Sequence, residues 1–425
     1  LDNITFLKVI SIKESCQTFY QRASFYNWIK VLYKNKRLLI IGEFMKIILP
    51  FLVLSAFLFS CGQSNLHTFK KPYPDFNYSG TRFIVYSKSK IKTHQDIEKA
   101  IGRNNGRILK KLKYNKGYVA YFKDNHIVNL DKNIRFELDI IHQSSLGSCS
   151  QEPAPPQEPN PDQPSQVLDW GIDRLNARKA WEISTGAGVT VCVVDTGIDT
   201  KHPDLIDNIK GGMGFVNGSD SYYDDADHGS HVSGIIAGVD NGIGIKGLAF
   251  NAKIWAVKVL DENGSGWGSD ISQGILNCIG KADIINLSLG SDRPSSIIYD
   301  AIKEAYDKGL IIVGAAGNDA ANVVGYPAAY VEVVAVSSSN YRDEFSYFSN
   351  FGPEIDFIAP GSSVLSTVPG GDYKKFSGTS MATPYVAAMY ALALSAGKRD
   401  IKAVDIGLDV YKQGQGLPDA WETVK

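Results

Sequence analysis

From position 166 onward the chain alternates near-continuous apolar runs with segments of helical period. The runs 189–195 (VTVCVVD), 253–260 (KIWAVKVL), 282–290 (ADIINLSLG), 309–317 (GLIIVGAAG) and 331–338 (VEVVAVSS) are apolar at successive positions. A strand carries that pattern when both of its faces are covered. ISQGILNCIGK and SIIYDAIKEAYDKG, lying among them, space their apolar residues as a helix does. Buried strands alternating with helices predict an α/β fold, a parallel sheet with helices on both faces. Ligands of such sheets bind beyond the carboxyl ends of the strands, where Asp195, Ser288 and Asn318 fall. A final stretch, 376–397 (FSGTSMATPYVAAMYALALSAG), opens with small residues around Ser380 and runs on as a helix. Pro384 lies where a first helical turn tolerates it, since amides there have no intrahelical partner.

The chain ahead of 166 reads differently. FIVYSK is a strand and THQDIEKAIGRN a helix capped by Thr93. ILKKLKY and YVAYFK are strands around Asn115-Lys116-Gly117, and IRFELDII alternates as one further strand. These make a compact α+β unit, placed within 66–148. Residues 149–165 (CSQEPAPPQEPNPDQPS) have no packable face and read as an extended, Pro-rich linker. Near the start, Met45 opens MKIILPFLVLSAFLFSCGQSN, a short basic start and an apolar run over 47–59. The run is short for a membrane-spanning helix and suits a secretory signal. Its Leu58-Phe59-Ser60-Cys61 end resembles a bacterial lipoprotein signal, with Cys61 the lipidated residue and the outer membrane the anchor site. A plain signal peptide and a signal anchor are the alternatives. Residues 1–44, which begin with Leu, read as upstream sequence translated in error.

Composition adds one point. The chain has 44% apolar and 21% charged residues and a net charge of −1. That balance conceals 16 Lys and Arg against 7 Asp and Glu over Leu66–Leu146, and 20 against 32 over Gln166–Lys425. Oppositely charged halves point to binding between them rather than to nucleic acid. Five cysteines show no metal spacing. Cys192 in a strand pattern and Cys278 in a helical one read as small buried core residues, with a pairing between them as the alternative.

Three short stretches carry chemistry. VVDTGID places Asp195 directly after a strand, DHGSHVSGIIAG places His228 where a loop enters a small-residue helix, and GTSMATP holds Ser380. A bare serine is a poor nucleophile and needs a positioned base. An imidazole is such a base, and a carboxylate holds its tautomer and stabilises the imidazolium. These three stretches and their order resemble those of subtilases, the subtilisin-like serine proteases, over about residues 166–425, including the closing QGQGLPDAWETV.

The resemblance implies further roles. Asn318, in AAGN, would donate to the oxyanion with the backbone N–H of Ser380. Ser288, Leu289 and Gly290, and the GSG segment with Ser265 and Gly266, would pair with an extended substrate by β-augmentation. Gly325, in VGYP, would leave a roomy pocket for large apolar or aromatic side chains, whereas Asp319 would favour basic ones. A structural Ca²⁺ is implied, held by Gln166, Asp204 and Asn241 and by the carbonyls of Val239, Ile243 and Ile245, with no cofactor for catalysis. His202 and His231 belong to the scaffold, and Trp267 either lines a subsite or shields an edge. The basic unit 66–148 is similar to the ferredoxin-like inhibitory propeptides of the family. It would dock on the enzyme and be cleaved off between about His142 and Gln166. The expectation is an exported monomer, at the cell envelope or outside the cell, acting as a self-processed endopeptidase. The alternatives are a tethering role for the small domain and a catalytically silent subtilase-fold binding protein.

Overall fold

The computed structural model describes residues 81–87, 93–123, 127, 131, 133–144 and 166–425. Residues 1–44, the signal with Cys61 and the linker 149–165 lie outside the described residues.

The small unit is built on β1 (Thr81–Ser87), α1 (His94–Arg103), β2 (Arg107–Lys111), β3 (Gly117–Phe122) and β4 (Ile134–Leu138). Its antiparallel sheet has the order β2-β3-β1-β4. Thr93 and Asp96 form a reciprocal capping box at the start of α1. The period-2 pattern of the strands sorts side chains between two partners. Val85, Tyr118, Ala120 and Phe122 pack with Ile97 and Ile101 of α1, whereas Ile84, Tyr86, Leu112 and Val119 join a cluster of the larger domain. IRFELDII is not one strand. The chain breaks at Asp139, and β5 (Ile141–Ser144) leaves for another sheet.

The larger domain contains β6 (Thr190–Asp195), β7 (Ile209–Gly214), α2 (His228–Ala237), β8 (Lys253–Lys258), β9 (Ser265–Trp267), α3 (Gly268–Cys278), β10 (Ile284–Leu287), β11 (Leu289–Gly290), α4 (Ser296–Asp307), β12 (Ile311–Ala315), β13 (Val334–Ser339), β14 (Ile355–Pro360), β15 (Val364–Val368), β16 (Asp372–Phe376) and α5 (Thr379–Ser395). Seven strands form a parallel sheet in the order β14-β13-β12-β10-β6-β8-β7. Val191 and Val193 of β6 face the cluster of α2 and α5, and Cys192 and Val194 face that of α3 and α4. The helix α5 is apolar nearly all round, as a helix enclosed by its neighbours must be, and it packs on α2 and several central strands. Edge strand β7 reads IKGGMG and lacks the apolar signal of a strand; its pairing with β8 alone defines it.

Cys192 and Cys278 are bonded to each other, joining β6 to α3. The expectation of two separate core thiols is therefore corrected: strand and helix bring their Cα atoms to 5.8 Å, within the span a disulfide bridges.

Candidate active site

β6 sits between β8 and β10 at the middle of the sheet and ends in Asp195. The turn after it is tightly packed against the start of α2. A Cβ on Gly229 would lie 2.1 Å from the carbonyl oxygen of Gly197, so only glycine permits this approach. The approach sets His228, the first residue of α2, against Asp195: His228 Nδ1 donates to Asp195 Oδ1 over 2.7 Å. The same oxygen accepts from the Thr196 amide at 2.7 Å. Both side chains are buried, and among the described residues His228 Nε2 and Asp195 Oδ2 have no hydrogen-bond partner.

Thr196 and Asp224, which the sequence did not single out, fasten this junction. Thr196 Oγ1 accepts from the Gly229 amide and donates to Asp224 Oδ1, each over 2.8 Å. Asp224 Oδ2 accepts from the Ser230 amide at 2.8 Å. A buried carboxylate at the N-terminal turn of α2 satisfies otherwise orphaned amides and complements the helix dipole. Lys258 Nζ donates to the Thr196 carbonyl from the next strand at 2.7 Å.

Ser380 is buried in the first turn of α5. Its Oγ donates to the Ser288 carbonyl at 3.1 Å, and Ser288 Oγ donates to the Ser380 carbonyl at 2.8 Å. No hydrogen bond between His228 and Ser380 is present among the described residues. Asn318 is tied to the same turn as Ser380: its Oδ1 accepts from the Thr379 amide at 2.9 Å, while its buried Nδ2 has no partner among the described residues. A donor with no acceptor, next to the first amides of a helix, suits an oxygen that gains negative charge.

The cleft segments are occupied by the chain itself. β5 lies between β9 and β11 in an antiparallel three-stranded sheet. Ile141, His142 and Gln143 pair with Trp267, Gly266 and Ser265. Ser144 and Gln143 pair with Leu289 and Gly290. Ser288, directly before β11, is the residue whose carbonyl holds the Ser380 hydroxyl. Gly325 donates to the Ala316 carbonyl, and an antiparallel bridge joins Ser291 to the adjacent Tyr326. The Asp319 carboxylate accepts from Asn350 Nδ2 at 3.4 Å. Trp267 lies under the Arg82 guanidinium, 4.2 Å from the ring centroid.

Contacts flanking β5 were not legible in the charge balance. Asp139 Oδ1 accepts from the Ser269 amide at 2.9 Å, and Oδ2 accepts from Ser269 Oγ and from Arg82 Nε at 2.8 and 2.6 Å. Glu137 Oε1 accepts from the Ser296 amide and Ser295 Oγ at 2.7 and 2.8 Å. Two acids of a net basic unit thus occupy the N-termini of α3 and α4. Lys110 pairs with Asp270 over 2.5 Å, the sense the net charges predict. Burial pushes the Asp270 carboxyl up, and Lys110 opposes that shift.

Around Gln166 the implied calcium ligands mostly converge. Gln166 Nε2 lies 2.5 Å from the Val239 carbonyl, 2.9 Å from that of Ile245 and 3.5 Å from Asn241 Oδ1. Asp204 accepts from Asn241 Nδ2 at 2.9 Å and from the Ile245 amide and Tyr373 Oη at 2.8 Å. Ile243 joins through its amide, which donates to Asn241 Oδ1 at 3.1 Å. Three oxygens around one amide group fit a hard cation if that amide turns its Oε1 inward. His231 is fully buried, donates through Nε2 to the carbonyls of Val364 and Lys374, and stacks on Phe376. Burial holds its pKa down at about 3, keeping a neutral ring for the scaffold. His202 is likewise engaged, accepting from the Asp204 amide and bonding to the Asp372 carbonyl.

A carboxylate-bound imidazole at the head of one helix, which packs against the helix whose first turn holds Ser380, is the kind of arrangement serine hydrolases use. Residues 186–406 match the model of the subtilase family, and this chain belongs to that family of serine peptidases. It is 45% identical over 231 residues to Subtilisin Savinase of Lederbergia lenta, a match covering 54% of this chain and 84% of that protein. It is 46% identical to an alkaline protease of Alkalihalobacillus alcalophilus, over 54% of this chain and 60% of the relative. The minor extracellular protease Epr of Bacillus subtilis (strain 168) is 44% identical, over 52% of this chain and 35% of its own length. Matches to the last two therefore span only about a third to three fifths of those proteins.

Proposed function

We propose that this chain is the zymogen of an exported serine endopeptidase, in which residues 66–148 act as inhibitor and folding aid for the domain 166–425. The observation that carries this reading is the position of β5, paired on both sides with the segments expected to bind substrate and ending beside the Ser288–Ser380 contact. Main-chain pairing recognises any extended peptide, which suits an endopeptidase of broad reach.

In the reaction, His228 Nε2 takes the proton of Ser380 Oγ as the oxygen attacks the peptide carbonyl carbon. Asp195 fixes the ring through Nδ1 and balances its charge. Asn318 Nδ2 and the Ser380 amide receive the developing oxyanion. His228 then gives its proton to the leaving amine, and water, activated by the same ring, releases the acyl group. Ser380 Oγ must leave the Ser288 carbonyl to give its proton to His228.

Export is supported by the disulfide, a bond that persists in oxidising compartments, and by one relative named as an extracellular protease. A lipid anchor at Cys61 is part of the proposal. Ca²⁺ would be held by Gln166, Asp204, Asn241 and the carbonyls named above, stabilising the native fold by binding it selectively. Chelation should lower the melting temperature of the Ser380→Ala chain; an unchanged value refutes the site.

The main test is intact mass and N-terminal sequencing of the wild-type chain beside Ser380→Ala. The reading expects wild type to yield a fragment beginning between about His142 and Gln166 and the variant to remain whole. Two intact chains without peptidase activity would overturn it.

A further inference from the structure

β9 ends in Trp267, which pairs with Ile141 of β5. The Gly268 amide donates to the Ile140 carbonyl, and bonded pairs alternate along an antiparallel ladder. The pair Ile141–Trp267 is therefore a non-bonded one, where opposed side chains stand closest and on the same face. Ile141 is exposed and Trp267 half-buried.

Across the indole lies a guanidinium that β5 does not supply. Arg82 of β1 sets its Cζ 4.2 Å from the ring centroid, within cation–π range. Its Nη2 donates to Ser269 Oγ at 3.3 Å and its Nε to Asp139 at 2.6 Å. The next residue of α3, Asp270, holds a second cation of the small unit, Lys110, over 2.5 Å. Burial pushes the Asp270 carboxyl up, and Lys110 and Arg82 both oppose that shift. Indole, hydroxyl and carboxylate belong to the larger domain, whereas both cations belong to the small unit.

We propose that Trp267, Ser269 and Asp270 form a subsite for a basic side chain of the substrate, and that Arg82 occupies it in the uncleaved chain. The inference rests on the peptidase reading and adds a substrate class: extended segments carrying Arg or Lys at one fixed distance ahead of the cut. The register gives that distance. Leu289 faces Ser144, Trp267 faces Ile141, and Ser288, one residue before Leu289, holds the Ser380 hydroxyl on its carbonyl. A substrate residue facing Ser288 presents the carbonyl that Ser380 attacks. The residue facing Trp267 is then the fifth counted back from the cut bond.

From that position a long basic arm can bring its charge over the ring, where the Arg82 charge now sits. Asp139, the ion-pair partner of Arg82, leaves with it. The charge that remains for a substrate cation is that of Asp270, parted from Lys110 by the same release, in a domain of 20 basic against 32 acidic residues. An indole that only shielded the sheet edge would favour no charge.

The test uses enzyme matured from the wild-type chain and two quenched peptides with the sequence of residues 138–148, carrying arginine or citrulline in place of Ile141. Citrulline keeps the shape of the arm and removes its charge. The arginine peptide should show a kcat/KM about fivefold higher, with the same bond cut by mass. Moving both substitutions to Ile140 should erase the preference, because successive side chains of a strand point to opposite faces. In Trp267→Leu the ratio at position 141 should fall to about one, and in Trp267→Phe, whose aromatic face binds cations less well, it should lie between. If the leucine variant does not mature, the phenylalanine variant carries the comparison. A ratio of one in wild type, or a ratio unaltered in the Trp267 variants, overturns the subsite alone. Failure to cleave either peptide overturns the peptidase reading and the subsite with it.

Discussion

The two folded regions differ in how they cover their apolar surface. Residues 166–425 enclose a seven-stranded sheet between two helical layers of their own, and the disulfide crosses one of those layers. Among the described residues the small unit has one helix for a four-stranded sheet; α1 covers one face and the larger domain packs on the other. A domain of that size buries too little surface to be robust alone. The unit therefore completes its apolar burial on the larger domain. Part of its core is shared, whereas the peptidase region carries a core of its own. Beyond that shared apolar face, the contacts between the two regions include polar side-chain bonds and the main-chain pairing of β5.

The sharpest break between the regions should come from Asn318→Ala. In this family the loss of one oxyanion donor is known to cost about 10²–10³-fold in turnover. The kcat of the processed enzyme on a peptide substrate should drop by that order, while β5 stays as protected as before in the Ser380→Ala background. A drop in protection would mean that Asn318 is structural. The opposite break is smaller. Asp139→Ala removes acceptors for Ser269 and Arg82, and the orphaned buried groups should raise exchange at the Ser144 amide by about tenfold at pH 7.5. With the cleavage proposed above, activity of the released domain should be unaltered, because Asp139 lies ahead of the proposed cut. Unchanged exchange would show that the apolar face alone holds the unit.

Local chemistry was legible in the sequence to different depths. Asp195, His228 and Ser380 stand in short stretches whose neighbours are glycine, serine and threonine, because a close backbone approach demands small residues, and such demands leave readable traces. Thr93 as a cap and the near-continuous apolar strands were legible for the same reason. The break at Asp139 was not, since IRFELDII alternates without interruption and its two halves differ only in their partners. The pairing of Cys192 with Cys278 depends on a distance across 86 residues of sequence, which no local pattern encodes. Net charge foretold contact between the regions but missed its chemistry. Glu137 and Asp139 act through helix termini, which carry partial charge without any ionised side chain.

The bridge between Cys192 and Cys278 also bears on wear. It closes a covalent ring that contains His228, both flanks of the Asp195–His228 junction beyond β6, and the exposed loops at 217–221 and 240–243. Such loops are where a peptide chain is nicked first. A single cut in either one opens the ring without parting the molecule, because the two pieces remain tied through sulfur. Damage of that kind is a hinge rather than a loss: a cut at 217–221 leaves the fragment bearing Asp195 tied to the one bearing His228 and Ser380, and a cut at 240–243 leaves Asp195 and His228 tied to the fragment bearing Ser380.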